Sequence, residues 1–229
     1  MTKFIGVSGK IGSGKNYLAD KLMELLAARG LKSEYVAFAA PLKDELTQVI
    51  NVFNLHRNGK ELSLPAVEEI SKHFGFTSQQ TTNLFNLLAD DLESHPDLNG
   101  WSKTAGTRPA IQYLGTDIRR ASYDNYWVDL VHANVPERAD YVFATDARFP
   151  NEADSVRNRA GVLIRVEPSP EVINQRTAER DGLVLSAEAR SHSSETALDD
   201  YENFDIIIGD SFDTEEVMKE IDDLLEIRS

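Results

Sequence analysis

Two rhythms of apolar and polar positions run along the chain. Lys3–Val7 is a short, mostly apolar strand candidate, and Ser33–Phe38 reads as a second. Tyr141–Thr145, Val162–Val166 and Phe204–Ile208 are continuous apolar runs of buried-strand length. Helical spacing follows them. One helix spans about Asn16–Arg29 and ends at Gly30, a residue suited to a left-handed cap. Another begins at Pro41 and buries Leu42, Leu46, Val49 and Ile50. Thr107 is expected to cap a helix with Pro109 in its first turn. Further helices are predicted over Tyr126–Val135, Asn151–Arg159, Pro170–Arg180 and Thr214–Ile227. From about Leu55 to Gly106 the pattern loosens into polar, turn-rich sequence around short helical pieces at Pro65–His73 and Gln79–Leu92. Strands alternating with helices predict an α/β fold, a parallel sheet of about five strands flanked by helices. The expected organisation is one domain over residues 1–229 with an insertion at about 55–106.

The first strand leads directly into Gly9-Lys10-Ile11-Gly12-Ser13-Gly14-Lys15-Asn16, and helical periodicity resumes at Tyr17. This is the phosphate-binding loop pattern, with Asn16 where Ser or Thr is usual. Gly9 and Gly14 permit backbone angles that let N–H groups turn toward a polyphosphate. The helix behind them adds its positive end, and Lys15 adds a compact cation. Gly9, Gly12, Ser13, Gly14, Lys15, Asn16 and Tyr17 are therefore the candidate residues for a nucleoside triphosphate. A hydroxyl at position 16 would normally reach magnesium. An amide oxygen can also ligate a hard cation, but without charge. Asp146, at the carboxyl end of the strand Tyr141–Thr145, is the second metal candidate. A turn-capping carboxylate paired with Arg148 is its alternative.

Composition narrows the partners. The 229 residues are 41% hydrophobic, enough for one substantial core. The 24 basic and 38 acidic residues leave a formal charge of -14. Such a surface argues against nucleic acid and anionic membrane as partners, so an anionic ligand needs a local basic pocket. The chain has no cysteine, which removes disulfides and thiolate chemistry. No apolar stretch has membrane-spanning length and the N-terminus lacks a long apolar core, so a cytoplasmic location is expected.

Several motifs together resemble the phage-type deoxynucleoside monophosphate kinases, a branch of the P-loop nucleoside monophosphate kinases. They are the glycine loop, Phe38-Ala39-Ala40-Pro41-Leu42-Lys43, Gln112-Tyr113-Leu114-Gly115-Thr116-Asp117, Tyr126-Trp127, Asp146-Ala147-Arg148 and His192-Ser193-Ser194-Glu195. The resemblance implies a P-loop kinase core with a mostly helical, substrate-side insertion and a mobile lid at about 176–196. It implies ATP as phosphoryl donor, Mg2+, small nucleotide substrates and compatibility with a homodimer. The family often carries an acidic residue and then Thr after the loop lysine, and here those positions are Asn16 and Tyr17.

By that resemblance Arg148 and Glu152 serve the substrate site, although Glu152 is equally an ordinary first-turn acid. Arg108 and Gln112, one helical turn apart, fall at the monophosphate, where Arg can fork onto phosphate and Gln can meet a base edge. Gly115 would let backbone approach the ligand and Thr116 would add a hydroxyl. Lys43 and Trp127 join them, with a solvated lysine and a core aromatic as the alternatives. Arg176 and Arg180, four apart, correspond to lid arginines that act with Lys15 and Arg148 on the transferring phosphoryl group, against a solvated helix face. Arg190 and His192 are further candidates there. The activity implied is transfer of the γ-phosphoryl group of ATP to a deoxynucleoside monophosphate. Phosphomevalonate or dephospho-coenzyme A kinases, and a nucleotide-binding module without turnover, are the rivals.

Overall fold

The computed structural model describes residues 2–181 and 193–228, and it divides the chain into two compact units, Met1–Phe38 with Val131–Ser229, and Ala39–Leu130. The first unit is built on β1 (Lys3–Ser8), β2 (Ser33–Val36), β3 (Tyr141–Ala144), β4 (Val162–Val166) and β5 (Ile206–Ile208), all parallel in the order β2-β3-β1-β4-β5. Register pairs Ile5 with Phe143 on one side of β1 and with Val162 on the other. β1 is thus central, and the glycine loop leaves the middle of the sheet at its carboxyl edge, where open α/β sheets bind ligands. The loop runs into α1 (Lys15–Ala28), whose Leu18, Leu22 and Leu26 bury one helical stripe in the core of this unit. This is the α/β P-loop arrangement that the sequence implies.

The predicted elements are present with shifted ends. β2 stops at Val36 and β5 begins at Ile206, so both edge strands are shorter than their apolar runs. Later helices of this unit are α7 (Pro150–Asn158), α8 (Pro170–Asp181), α9 (Ser193–Thr196) and α10 (Thr214–Arg228).

The second unit is helical and has a hydrophobic core of its own. It contains α2 (Ala40–His56), α3 (Leu64–Phe74), α4 (Ser78–Ser94) and α5 (Thr107–Gln112), then a π-helical segment, Tyr113–Arg120. α6 (Tyr126–Ala133) carries the chain back to the first unit. Phe53, Leu84, Leu88, Leu92, Ala110 and Leu114 pack in one cluster. The stretch 55–106, loose in its polarity pattern, therefore holds well-formed helices. Capping explains part of this. Ser63 accepts from Ala66 N–H, and Thr77 and Gln80 form a reciprocal capping box.

Thr107 differs from expectation. Gly106 is the residue before α5, and the Thr107 hydroxyl donates to the Ser102 carbonyl at 2.8 Å. The buried Asp91 instead secures the helix entry, taking Gly106 N–H at 2.7 Å and the Thr104 hydroxyl. Among the described residues no helix is long and apolar enough to cross a membrane.

Candidate active site

In the sheet unit the glycine loop shows why its glycines are required. Gly12 and Gly14 have φ of 83° and 93°, a region costly for other residues. A Cβ on Gly9 would lie 2.4 Å from Ser13 Oγ and 2.8 Å from the Val166 carbonyl. Ser13 is itself the loop's internal brace. Its side chain is fully buried, its N–H donates to the Lys10 carbonyl at 3.1 Å, and its carbonyl accepts from Arg176 Nη1 at 2.7 Å. The Ser13 hydroxyl is buried within the loop without a hydrogen-bond partner among the described residues. The N–H groups of Lys15, Asn16 and Tyr17 open α1, where no intrahelical acceptor exists. Lys15 Nζ rests 3.4 Å from the Lys10 carbonyl, and the Asn16 side chain is exposed. The Tyr17 ring is 58% exposed and meets Phe212 edge-on at 6.0 Å, so only its backbone belongs to the loop.

Arg176 reaches this loop directly, and Arg148 is linked to it through Glu195. Arg176, on α8, donates to Ser13 and, at 3.3 Å, to the Asp210 carbonyl. Its guanidinium lies 2.9 Å from where a Gly14 Cβ would stand. The Arg180 side chain, Arg190 and His192 lie outside the described residues. Arg148 follows β3 in the turn before α7, and its Nη1 pairs with the Glu195 carboxylate, which also accepts Ile11 N–H at 2.9 Å. Glu152 is buried and accepts Arg148 N–H at 2.7 Å and Phe149 N–H at 3.2 Å. It holds the turn that carries Arg148, the first-turn alternative seen in the sequence.

Asp146 Oδ1 accepts Phe38 N–H at 2.9 Å, which fixes the carboxylate at the end of β3. Asp146 and Asn16 are oxygen donors of the hard type that magnesium takes. Among the described residues no group of three or more acidic or histidine side chains is assembled for a metal. The donors fit an ion that arrives with polyphosphate and keeps water and phosphate ligands, rather than a resident one.

Sequence reading missed a second layer of charge. Arg165 on β4 is 5% exposed, with Nη1 3.2 Å from Ser8 Oγ and Nη2 3.4 Å from Asp199 Oδ1. The other Asp199 oxygen takes Lys10 Nζ at 2.9 Å. Neither Arg165 nor Asp199 stands in a recognisable motif, because their pairing depends on the β1–β4 register that sets Ser8 beside Arg165.

In the helical unit Arg108 and Gln112 share α5 as predicted, Arg108 exposed and Gln112 half-buried. Thr116 is exposed on the π-helical segment. Such segments widen a helix and recur at functional sites. Gly115 answers to packing here, because a Cβ would lie 2.8 Å from Leu42 Cδ2. Trp127 is 1% exposed and donates from Nε1 to the Gly115 carbonyl at 3.2 Å. That corrects the expected base contact. A ring buried to this depth offers no face to a base, and its indole N–H serves the wound segment. Lys43 Nζ sits 4.4 Å above the ring of Trp101, whose Nε1 donates to Asp44 at 2.9 Å. Trp101, exposed in the loose stretch, carried no signal in the sequence.

No family model matches the chain. It is similar to a protein of Acanthamoeba polyphaga mimivirus named "Putative deoxynucleotide monophosphate kinase", 28% identical over 233 residues, covering 95% of this chain and 93% of that one. Among solved structures, TT1252 from Thermus thermophilus is 16% identical with a TM-score of 0.43, covering 100% of this chain and 98% of that one. A gluconokinase from Sinorhizobium meliloti 1021 is 16% identical with a TM-score of 0.42, covering 98% and 92%. No residue role follows from structural likeness of this extent.

Proposed function

We propose that the chain is an ATP-dependent kinase of deoxynucleoside monophosphates, moving the γ-phosphoryl group to the acceptor's 5′-phosphate. One observation carries the reading: cationic side chains from separate elements gather at the glycine loop that runs into α1 at Lys15, Arg176 of α8 directly and Arg148 after β3 through Glu195. The similarity to the mimivirus protein supports a nucleotide acceptor.

An oxygen of the acceptor phosphate attacks the γ-phosphorus, and the bond to the β–γ bridging oxygen breaks to release ADP. A phosphate monoester has a second pKa of about 6, so the nucleophile is largely ionised near neutral pH and no side-chain base is needed. The transition state is loose, and positioning with charge does most of the work. Lys15 and the first N–H groups of α1 hold the β- and γ-phosphates. Arg148, Arg176 and Arg180 meet charge in transit. Magnesium, held by Asp146 and Asn16, would supply charge neutralisation at the phosphate oxygens. On the acceptor side Arg108 forks onto the monophosphate, Gln112 reads the base edge, and Lys43 and Thr116 add polar contacts. Gly115 and Trp127 support that segment from within.

A coupled ADP-release assay across deoxy- and ribonucleoside monophosphates tests the reading, with phosphomevalonate and dephospho-coenzyme A as controls. Deoxynucleoside monophosphates should give the highest kcat/KM. Turnover with either control alone would move the chain to another small-molecule kinase class, and ATP binding without turnover would make it a nucleotide-binding module.

A further inference from the structure

The Glu195 carboxylate joins two parts of the phosphate site that the chain otherwise keeps apart. Oε2 accepts Ile11 N–H at the tip of the glycine loop at 2.9 Å, and Oε1 pairs with Arg148 on the turn after β3. Glu195 is 8% exposed, and a carboxylate so buried is costly unless its oxygens are engaged. Four residues on, Asp199 holds Lys10 Nζ and the buried Arg165. Consecutive loop residues, Lys10 and Ile11, are thus tied to one short stretch, 195–199. Negative charge near a polyphosphate site is unfavourable for the ligand. Simple bracing of Ile11 could be met by a neutral amide. An amide, however, has one acceptor oxygen, and its NH2 group would oppose a second donor. With the two donors on separate oxygens, as here, a carboxylate accepts both, whereas an amide would turn its NH2 toward one of them.

We propose that Glu195 is a positioning residue for phosphoryl transfer, setting the Arg148 guanidinium against the tip of the glycine loop. The proposal rests on the kinase reading, since it assigns Glu195 no contact with substrate and makes it act through Arg148. In the full chain, Glu195→Gln should lower kcat roughly ten- to a hundredfold, the range of misplacing a group at the site. The ATP dissociation constant, measured calorimetrically with ATP and magnesium, should stay within about threefold, because the loop keeps its other contacts. Glu195→Asp, which retains the charge, should recover part of the loss. In an Arg148→Ala background the same Glu195→Gln change should cost less than about threefold, since a residue acting through another is silent once that one is gone.

Equal losses with and without Arg148 would make Glu195 a plain stability element and overturn the proposal. Tighter ATP binding with undiminished turnover would overturn it too, by making the carboxylate a stand-in for phosphate. A second readout needs no variant and covers failure of Glu195→Gln to fold. The Ile11 amide of the wild-type chain should resist hydrogen exchange both without and with ATP, and exchange at an open-loop rate overturns the proposal. A wild-type chain without phosphoryl transfer sinks the kinase reading and this one together. Normal transfer with equal losses in the two backgrounds sinks this one alone.

Discussion

In the sheet unit, charged side chains crowd one backbone loop; in the helical unit, buried charge braces helix ends. Around the glycine loop, Lys10, Arg148 and Arg165 are matched by Asp199 and Glu195. In the helical unit Asp91 satisfies Gly106 N–H before α5, and the Arg119–Glu45 pair also reaches the Phe74 carbonyl. The first arrangement gathers Lys10, Arg148 and Arg165 with acidic partners around one loop, in a chain of charge -14. The second leaves Arg108 and Thr116 exposed on a packed apolar base. On the proposed function, many charges near one point would serve phosphate chemistry, and a few polar groups on a packed base would serve recognition of an acceptor.

The largest expected effect tests whether the helical core stands alone. Phe53→Ala removes a fully buried ring and should cost about 3–5 kcal/mol. Both tryptophans, Trp101 and Trp127, lie in the helical unit, so their emission reports that unit by itself. In urea the variant should lose its tryptophan signal in an early transition that takes only part of its far-ultraviolet circular dichroism, the sheet unit's share following later. Coincident transitions would mean that the two units unfold as one, and the contrast between their cores would lose its energetic content.

Next in size is Lys15→Ala, expected to slow phosphoryl transfer roughly a hundred- to a thousandfold, or about 3–4 kcal/mol, with an unchanged melting temperature. Near-wild-type ADP release would remove the glycine loop from the chemistry. Arg108→Ala probes the other unit. Loss of a charged hydrogen bond is worth about 1.5–3 kcal/mol and should appear in the KM for the monophosphate, with that for ATP unmoved. A shift in the ATP constant alone would mean that donor and acceptor roles are assigned to the wrong units.

The smallest effect concerns Asn16 in the first turn of α1. Asn16→Asp puts a negative charge at a positive helix end and should stabilise the ligand-free chain by about 0.3–1 kcal/mol. It should also lower the magnesium concentration for half-maximal rate, since a carboxylate holds a hard cation better than an amide. A magnesium titration at saturating ATP and monophosphate decides this. An unmoved midpoint would separate position 16 from the metal's surroundings.

Much of the strand–loop–helix at the glycine loop was legible in the chain. A glycine loop between a strand and a helix is a local pattern, and its geometry is set by backbone angles at Gly12 and Gly14. The parallel sheet was legible too, because strands buried on both faces must be nearly continuous apolar runs. The helical unit was only half visible. The helical pieces at α3 and α4 were read from the chain, but their partners were not, because contacts such as Phe53 with Phe85, ring centroids 5.2 Å apart, join segments far apart in the chain.

By itself, then, the sequence determined the strand–loop–helix unit, the alternating elements and the cysteine-free, acidic character, all properties of neighbouring residues and composition. Tertiary structure alone decided which charges meet. The strand order placed Arg165 beside Ser8, and the stretch 195–199 brought Glu195 to Ile11 and Arg148. It also sent the Trp127 ring inward, to the core position that was the alternative to a base contact. The physical reason is range: backbone conformation and amphipathic period act over a few residues, while burial and ion pairing act between segments that the chain closes together only when it folds.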